Sequence, residues 1–172
     1  MSSELRGRAR RLGDRVNTDY IISSSRKKET LDPHRLKEWL LEEVDPGFAA
    51  SVREGDILVA DEAFGCGSAM EVAVTVVLAA GIEAVVAKSF SRTYYRNAIN
   101  NGLIPVESDT SEIGEGDDLV LRIGEGGVVV VNETTGTEVD ARPLPPFVLE
   151  ILEAGGLVSY LRAHGGFPEV TT

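Results

Sequence analysis

The 172 residues fit one domain, since domains typically run about 100–200 residues. Folding at this size buries roughly 70% of the extended chain's surface, and with 42% hydrophobic and 26% charged residues neither wholesale disorder nor a fibre fits. A formal net charge of −11 argues against a phosphate-backbone binder, which needs a basic footprint, so nucleic acid is not an expected partner.

Along the chain, Gly7 to Leu12 reads as an opening strand, ended by Gly13-Asp14 and the polar Asn17-Thr18-Asp19. Ser23 to Thr30 is polar and unpatterned and reads as a surface loop. A helix then starts with Asp32 as N-cap and Pro33 at its first position, carries Leu36, Trp39 and Leu40 on one stripe, and closes near Val44. Asp56 to Ala60 reads as a strand. The run from Ala69 to Ala80 is rich in β-branched residues, yet its length and its ends favour a buried helix: Ser68-x-x-Glu71 has the form of a capping box and Gly81 suits the C′ position. A short strand over Ala84 to Ala87, a helix over Ser91 to Asn101 stopped by Gly102, and a strand over Leu103 to Val106 follow. This alternation predicts parallel α/β structure in the middle third. Beyond Asp117, Asp118 to Ile123 and Val128 to Val131 flank glycine-rich turns and read as antiparallel strands. A helix from Phe147 to Ala154, a break at Gly155-Gly156 and a last helical stretch over Leu157 to His164 complete the chain.

No run of about 18 apolar residues is present, so no membrane span is expected. Met1-Ser2-Ser3-Glu4-Leu5-Arg6 lacks the apolar region of a secretory signal, and the expected location is the cytoplasm. Cys66 is the sole cysteine, so neither an intrachain disulfide nor a cysteine cluster for zinc or iron–sulfur can form within the chain. His34 and His164 belong to no metal-binding pattern and read as surface histidines. No metal site is expected on this chain.

The chemistry concentrates in Phe64-Gly65-Cys66-Gly67-Ser68, between a strand and a helix start. Its glycines permit positive φ and close approach of a ligand to the backbone. Two readings of Ser68 are open at this level. It is an N-cap, contributing about 1 kcal/mol, or its hydroxyl, among the free N–H groups of a helix N-terminus, removes a proton from a substrate. The segment is neither a hydrolase elbow nor a Walker A loop, and it lacks the third glycine of a dinucleotide fingerprint.

Phe64-Gly65-Cys66-Gly67-Ser68, Ala87-Lys88-Ser89-Phe90 and Tyr95-Arg96-Asn97-Ala98-Ile99-Asn100-Asn101-Gly102 together resemble the small subunit of 3-isopropylmalate dehydratase, the separate-chain form of the aconitase-superfamily swivelling domain. Gly13-Asp14 with Asn17-Thr18-Asp19, and Leu144-Pro145-Pro146-Phe147 with Gly155-Gly156, extend the likeness over nearly the whole chain. The resemblance implies an α/β fold: one three-layer β/β/α swivelling domain over residues 1–172, with a parallel middle and antiparallel strands. It implies a large partner subunit carrying a [4Fe–4S] cluster, and dehydration and rehydration of an isopropylmalate-like hydroxy dicarboxylic acid in leucine biosynthesis. A C–H beside a carboxylate then needs a base, and Ser68 matches the family's catalytic serine, acting as an alkoxide, while iron polarises the bound oxygens.

The family usually continues Gly-Ser-Ser-Arg-Glu, whereas this chain has Gly67-Ser68-Ala69-Met70-Glu71. Methionine cannot replace an arginine that pairs with a carboxylate. Either another cation serves the site, Arg26 first and Lys27 or Lys28 next, or the substrate or activity has changed. Homoaconitate and methyl- or dimethyl-malates are the alternative acids, and a non-catalytic binding module is the alternative class. The loop after Asp19, by resemblance, reaches the substrate's variable group, which makes Ser24, Ser25 and Arg26, together with Gly67, the expected substrate contacts. Arg26 reads equally well as a solvated loop charge. Arg92 and Arg96 are expected to serve packing and carboxylate pairing.

Overall fold

The computed structural model describes residues 2–167. β1 (Ser3–Arg11) is followed by the short helices α1 (Thr18–Ile21), α2 (Ser24–Glu29), α3 (Pro33–Leu36, continued by a 3-10 turn over Lys37–Trp39) and α4 (Phe48–Ser51). Then come β2 (Ile57–Ala60), α5 (Val72–Ala79), β3 (Ala84–Ala87), α6 (Arg92–Asn101) and β4 (Ile104–Glu107). The last third contains β5 (Asp118–Gly124), β6 (Gly127–Asn132), β7 (Thr137–Ala141), α7 (Pro146–Glu153) and α8 (Leu157–His164).

The strands form a seven-stranded mixed sheet in the order β4-β3-β2-β1-β5-β6-β7. β1 joins its two halves: Ala9 to Arg11 pair parallel with β2, while Ser3 to Arg8 pair antiparallel with β5. Side chains alternate across a strand, and here each side of the parallel half is covered. Leu58, Ala60, Val85 and Ala87 pack with Leu36, Val76 and Val77 of the helices. Ile57, Val59, Ala84 and Val86 pack with Leu121, Val128 and Val130 of the antiparallel half. The sheet therefore curls over itself, giving antiparallel strands, parallel strands and helices as three layers. This is the β/β/α arrangement of the expected α/β fold. Strands covered on both faces read as continuous apolar runs, as β2 and β3 do. Among the described residues no helix is long and apolar enough to cross a membrane.

Four local expectations are corrected. The segment expected as a loop over Ser23 to Thr30 is the helix α2, with Ser23 as a side-chain N-cap. None of its residues is buried, so no apolar stripe marked it in the sequence. The helix expected from Asp32 to Val44 ends early, because Leu40 and Leu41 are adjacent and both fully buried, and the chain turns through Leu41 at φ 56° to place them. The helix expected from Ala69 starts only at Val72, and Glu71 rather than Ser68 precedes it. β7 had no expected counterpart; its half-exposed Thr137–Ala141 ladder is an edge strand without an apolar run.

Candidate active site

Three loops meet beyond the carboxyl ends of β1, β2 and β3, the side of an open parallel sheet where ligands bind. The middle loop, Phe64 to Ser68, is stitched to both neighbours. On one side the N–H of Gly65 donates to Val16 O at 2.8 Å and the N–H of Thr18 donates to Cys66 O at 2.9 Å. The buried Thr18 hydroxyl donates to the Ser68 carbonyl at 2.9 Å. On the other side the N–H of Phe64 donates to Ser89 O and the N–H of Ser91 to Phe64 O, both at 3.0 Å, while Ser91 Oγ donates to Gly65 O at 2.8 Å. Phe64 is fully buried, its ring edge-on to Phe90 at 5.9 Å and to Tyr94 at 5.1 Å.

Two glycines make this packing possible. Gly65 has φ +78°, and a Cβ there would lie 2.2 Å from the Tyr94 ring. Gly67 has φ +97°, and a Cβ there would lie 2.5 Å from Asn17 Oδ1. Both need the left-handed backbone that glycine adopts without cost from a side chain. Tyr94 is wholly buried, which pushes its phenol pKa up, and its hydroxyl donates to Ala73 O at 3.0 Å.

Ser68 is exposed at the tip of this anchored loop, and among the described residues its hydroxyl has no hydrogen-bond partner. It does not cap α5, so the argument from the helix terminus does not apply to it; its backbone is held by Thr18 instead. Gly67 is beside it and also exposed, whereas Cys66 is half-buried with Sγ 3.6 Å from Arg15 O.

The cations of the neighbouring helix differ in their availability. Arg26 donates from Nε and Nη2 to Glu42 at 2.8 and 3.2 Å and stacks over Trp39 at 4.5 Å. The hydrogen bond to Glu42 holds its pKa above the ordinary guanidinium value. Lys27 lies closer to the Ser68 loop: its Nζ is 3.4 Å from Asp19 Oδ1 and contacts Met70 Sδ, with only 13% of the side chain exposed. Ser24 Oγ donates to Asp19 Oδ1 at 3.0 Å, and Ser25 Oγ is 3.0 Å from Ser23 Oγ. The structure thus brings Asp19, Ser24, Lys27 and Met70 into one cluster next to Ser68, and ties Arg26 to the far side of α2. Thr18 and Ser89, which fix the loop with Ser91, stood in the sequence only as members of the motifs that carry the resemblance, with no role assigned; for Ser91 the N-cap position was the local signal. Arg92 and Arg96 have no ion-pair partner among the described residues, against the expectation of carboxylate pairing.

Among the described residues no group of three or more His, Cys, Asp or Glu side chains is placed to hold a metal ion. With one cysteine, the donors of this chain do not fit an iron–sulfur cluster.

Comparison with known proteins agrees with this arrangement. The family model of the aconitase C-terminal domain matches residues 24–111. The 3-isopropylmalate dehydratase small subunit 1 of Methanopyrus kandleri is 46% identical over 96% of both chains. The methanogen homoaconitase small subunit of Methanocaldococcus jannaschii is 42% identical over 92% of this chain and 91% of its own. The crystal structure of a 3-isopropylmalate dehydratase (leuD) from the same organism superposes with a TM-score of 0.87 at 41% identity, covering 95% of this chain and 96% of that one. With such identity over nearly its whole length, the chain belongs to the aconitase C-terminal domain family and, within it, to the dehydratase small subunits.

Proposed function

We propose that this chain is the small subunit of a cytoplasmic, two-chain hydro-lyase acting on an isopropylmalate-like hydroxy dicarboxylic acid, and that residues 1–172 move as one swivelling domain over a large subunit. The [4Fe–4S] cluster then belongs to that partner, because the donors on this chain do not suit one. The share of this chain is a proton. Ser68 Oγ, as alkoxide, takes the proton from the carbon next to a carboxylate; the C–H pair becomes the C=C bond as hydroxide leaves the neighbouring carbon, and rehydration runs the same steps backwards.

One observation carries the proposal: an unpartnered serine hydroxyl stands exposed on a loop whose backbone is pinned from both sides. A surface serine needs no such bracing, whereas a reacting oxygen must be held in place to act. Gly67 leaves the backbone beside it open to a substrate carboxylate. Ser24 and Ser25 stand at the rim on α2, and Arg26 reaches the acid only by releasing Glu42. Lys27 is the nearer cation. It replaces, from a different element, the positive charge that Met70 lacks.

The methionine at position 70, where the family usually has arginine, also favours a second reading on the acid itself. A cation placed on α2 rather than at position 70 suits a differently branched substrate, such as homoaconitate or a methyl-substituted malate. Rates measured on these acids side by side distinguish the two.

The test is reconstitution with the large subunit. Turnover is expected only from the pair, and Ser68→Ala is expected to lower kcat by roughly 10²–10⁴-fold while leaving assembly intact. Full activity of the Ser68→Ala complex, or turnover by this chain unaided, would refute the assignment.

A further inference from the structure

Three stretches of chain leave the carboxyl ends of β1, β2 and β3 side by side, and the middle one carries a surplus residue. Four steps along the chain separate Ala60 from Phe64, yet their partners on the β3 side, Ala87 and Phe90, are three steps apart. On the other flank Val59 and Cys66 are seven steps apart, and their partners Arg11 and Asn17 six. The middle strand therefore bulges by one residue on its way to the Ser68 loop. Beside active sites such bulges re-aim the side chains that follow.

Ala63, within the bulge, holds φ 53°. A left-handed backbone is costly for any residue with a Cβ, and it persists only where the surroundings over-determine it. Ser89 does this from the β3 side. Its Oγ accepts from the Ala63 N–H at 2.8 Å and donates to Glu62 Oε2 at 2.6 Å, while its carbonyl accepts from the Phe64 N–H at 3.0 Å. A serine has one proton to give, so donating it to Glu62 turns a lone pair toward Ala63.

Glu62 is anchored on the β1 side as well. Its N–H donates to Asp14 Oδ1 at 3.0 Å, and its carbonyl accepts from the Arg15 N–H at 2.9 Å. Arg15 is itself left-handed, at φ 49°. One residue thus joins all three stretches: its backbone holds the chain after β1, and its side chain holds the chain after β3. The bond it accepts from Ser89 is charge-assisted and stronger than one between neutral groups. Lys88, on the same edge, is paired with Asp61 at 3.5 Å instead.

We propose that Glu62 is a positioning residue of the Ser68 loop, acting through Ser89. Its carboxylate fixes the Ser89 hydroxyl, the hydroxyl fixes the left-handed residue Ala63, and that residue sets the direction in which Gly65 to Ser68 leave the sheet. The effect on rate rests on the role proposed for Ser68; the effect on the loop does not.

The test has two arms. In the ¹⁵N-labelled full chain, hydrogen exchange at the Ala63 amide is expected to be roughly five- to tenfold faster in Glu62→Ala and Ser89→Ala, and little changed in Glu62→Gln, which keeps an acceptor. In the complex with the large subunit, the two alanine variants are expected to lower kcat roughly tenfold with KM and assembly little changed, and Glu62→Gln to keep most of the rate. Adding Ala63→Gly to either alanine variant is expected to restore most of the loss, because glycine adopts the left-handed backbone without a clamp. A residue serving only packing or docking would gain nothing from that glycine. Unchanged Ala63 exchange in both alanine variants would overturn the clamp whatever Ser68 does. Faster exchange with unchanged kcat, in a complex that Ser68→Ala inactivates, would overturn the positioning role and spare the proposed function. A rate loss that Ala63→Gly does not restore would give these residues another task and overturn it as well. Should Ser68→Ala prove fully active, the proposed function fails by itself, and Ala63 exchange alone decides the clamp.

Discussion

The Thr18 hydroxyl donates to the Ser68 carbonyl at 2.9 Å across fifty residues of sequence. This bond ties the tip of the loop after β2 to the start of α1, and with it the position of the proposed base to the end of β1.

Thr18→Val keeps the shape of the side chain and removes the donor. In the reconstituted complex kcat is expected to fall roughly ten- to a hundredfold, with KM and assembly little changed, because a reacting oxygen displaced by an ångström loses alignment. Steady-state kinetics checks this; an unchanged kcat would show that Ser68 is positioned by other contacts.

Gly67→Ala places a methyl 2.5 Å from Asn17 Oδ1 on a residue at φ +97°. A loss of more than about 1 kcal/mol is expected, read as a fall in Tm of about 2–4 °C for each kcal/mol in a chain of this size. Ser68→Ala, at an exposed side chain without partners, is expected to leave Tm unchanged. Thermal unfolding of the two variants separates loop strain from chemistry.

Met70→Arg restores the residue type usual in the family but sets it against Lys27 Nζ. Two adjacent cations repel, and kcat/KM is expected to fall roughly tenfold, most of it through KM. A large gain instead would mark a site that has simply lost its cation, and would favour the non-catalytic reading of the natural chain.

Acid sensitivity has an identifiable source in Asp56. Burial works to raise its pKa, but hydrogen bonds from Arg8 at 3.1 and 2.7 Å and from the Arg53 N–H, with the charges of Arg8 and Arg10, more than offset this and hold it below the ordinary carboxylate value. A depressed carboxylate stabilises the fold above its unfolded value of about 3.9 and loses that contribution as pH falls through the lower folded value. Tm is therefore expected to drop below about pH 4. Asp56→Asn leaves Arg8 and the buried Arg10 without their shared carboxylate and is expected to cost about 3 kcal/mol at neutral pH while flattening the acid dependence. Unfolding curves between about pH 3 and 7 check both.

Local pattern carried most of the parallel half. β2, β3 and α6 stand where apolar runs, a serine N-cap and Gly102 place them, because those signals are written within a few residues. α2 and β7 escaped for the opposite reason: neither buries a face, so no periodicity distinguishes them from loops. The capping-box pattern at Ser68 and Glu71 misled, since Ser68 turns outward three residues before the helix begins its ladder. Arg26 and Lys27 are neighbours with equal standing in the sequence, and only Glu42 and Trp39 on one side and Asp19 and Met70 on the other separate their roles.

The sequence by itself determined the family, the glycine-bearing loop and the serine that follows its second glycine, since these depend on residue identity and short spacing. Only the tertiary structure decided which groups surround that serine and that β1 would serve two sheet halves at once. Those outcomes rest on contacts between residues tens of positions apart, and such contacts are selected by packing of the whole chain rather than by any local preference.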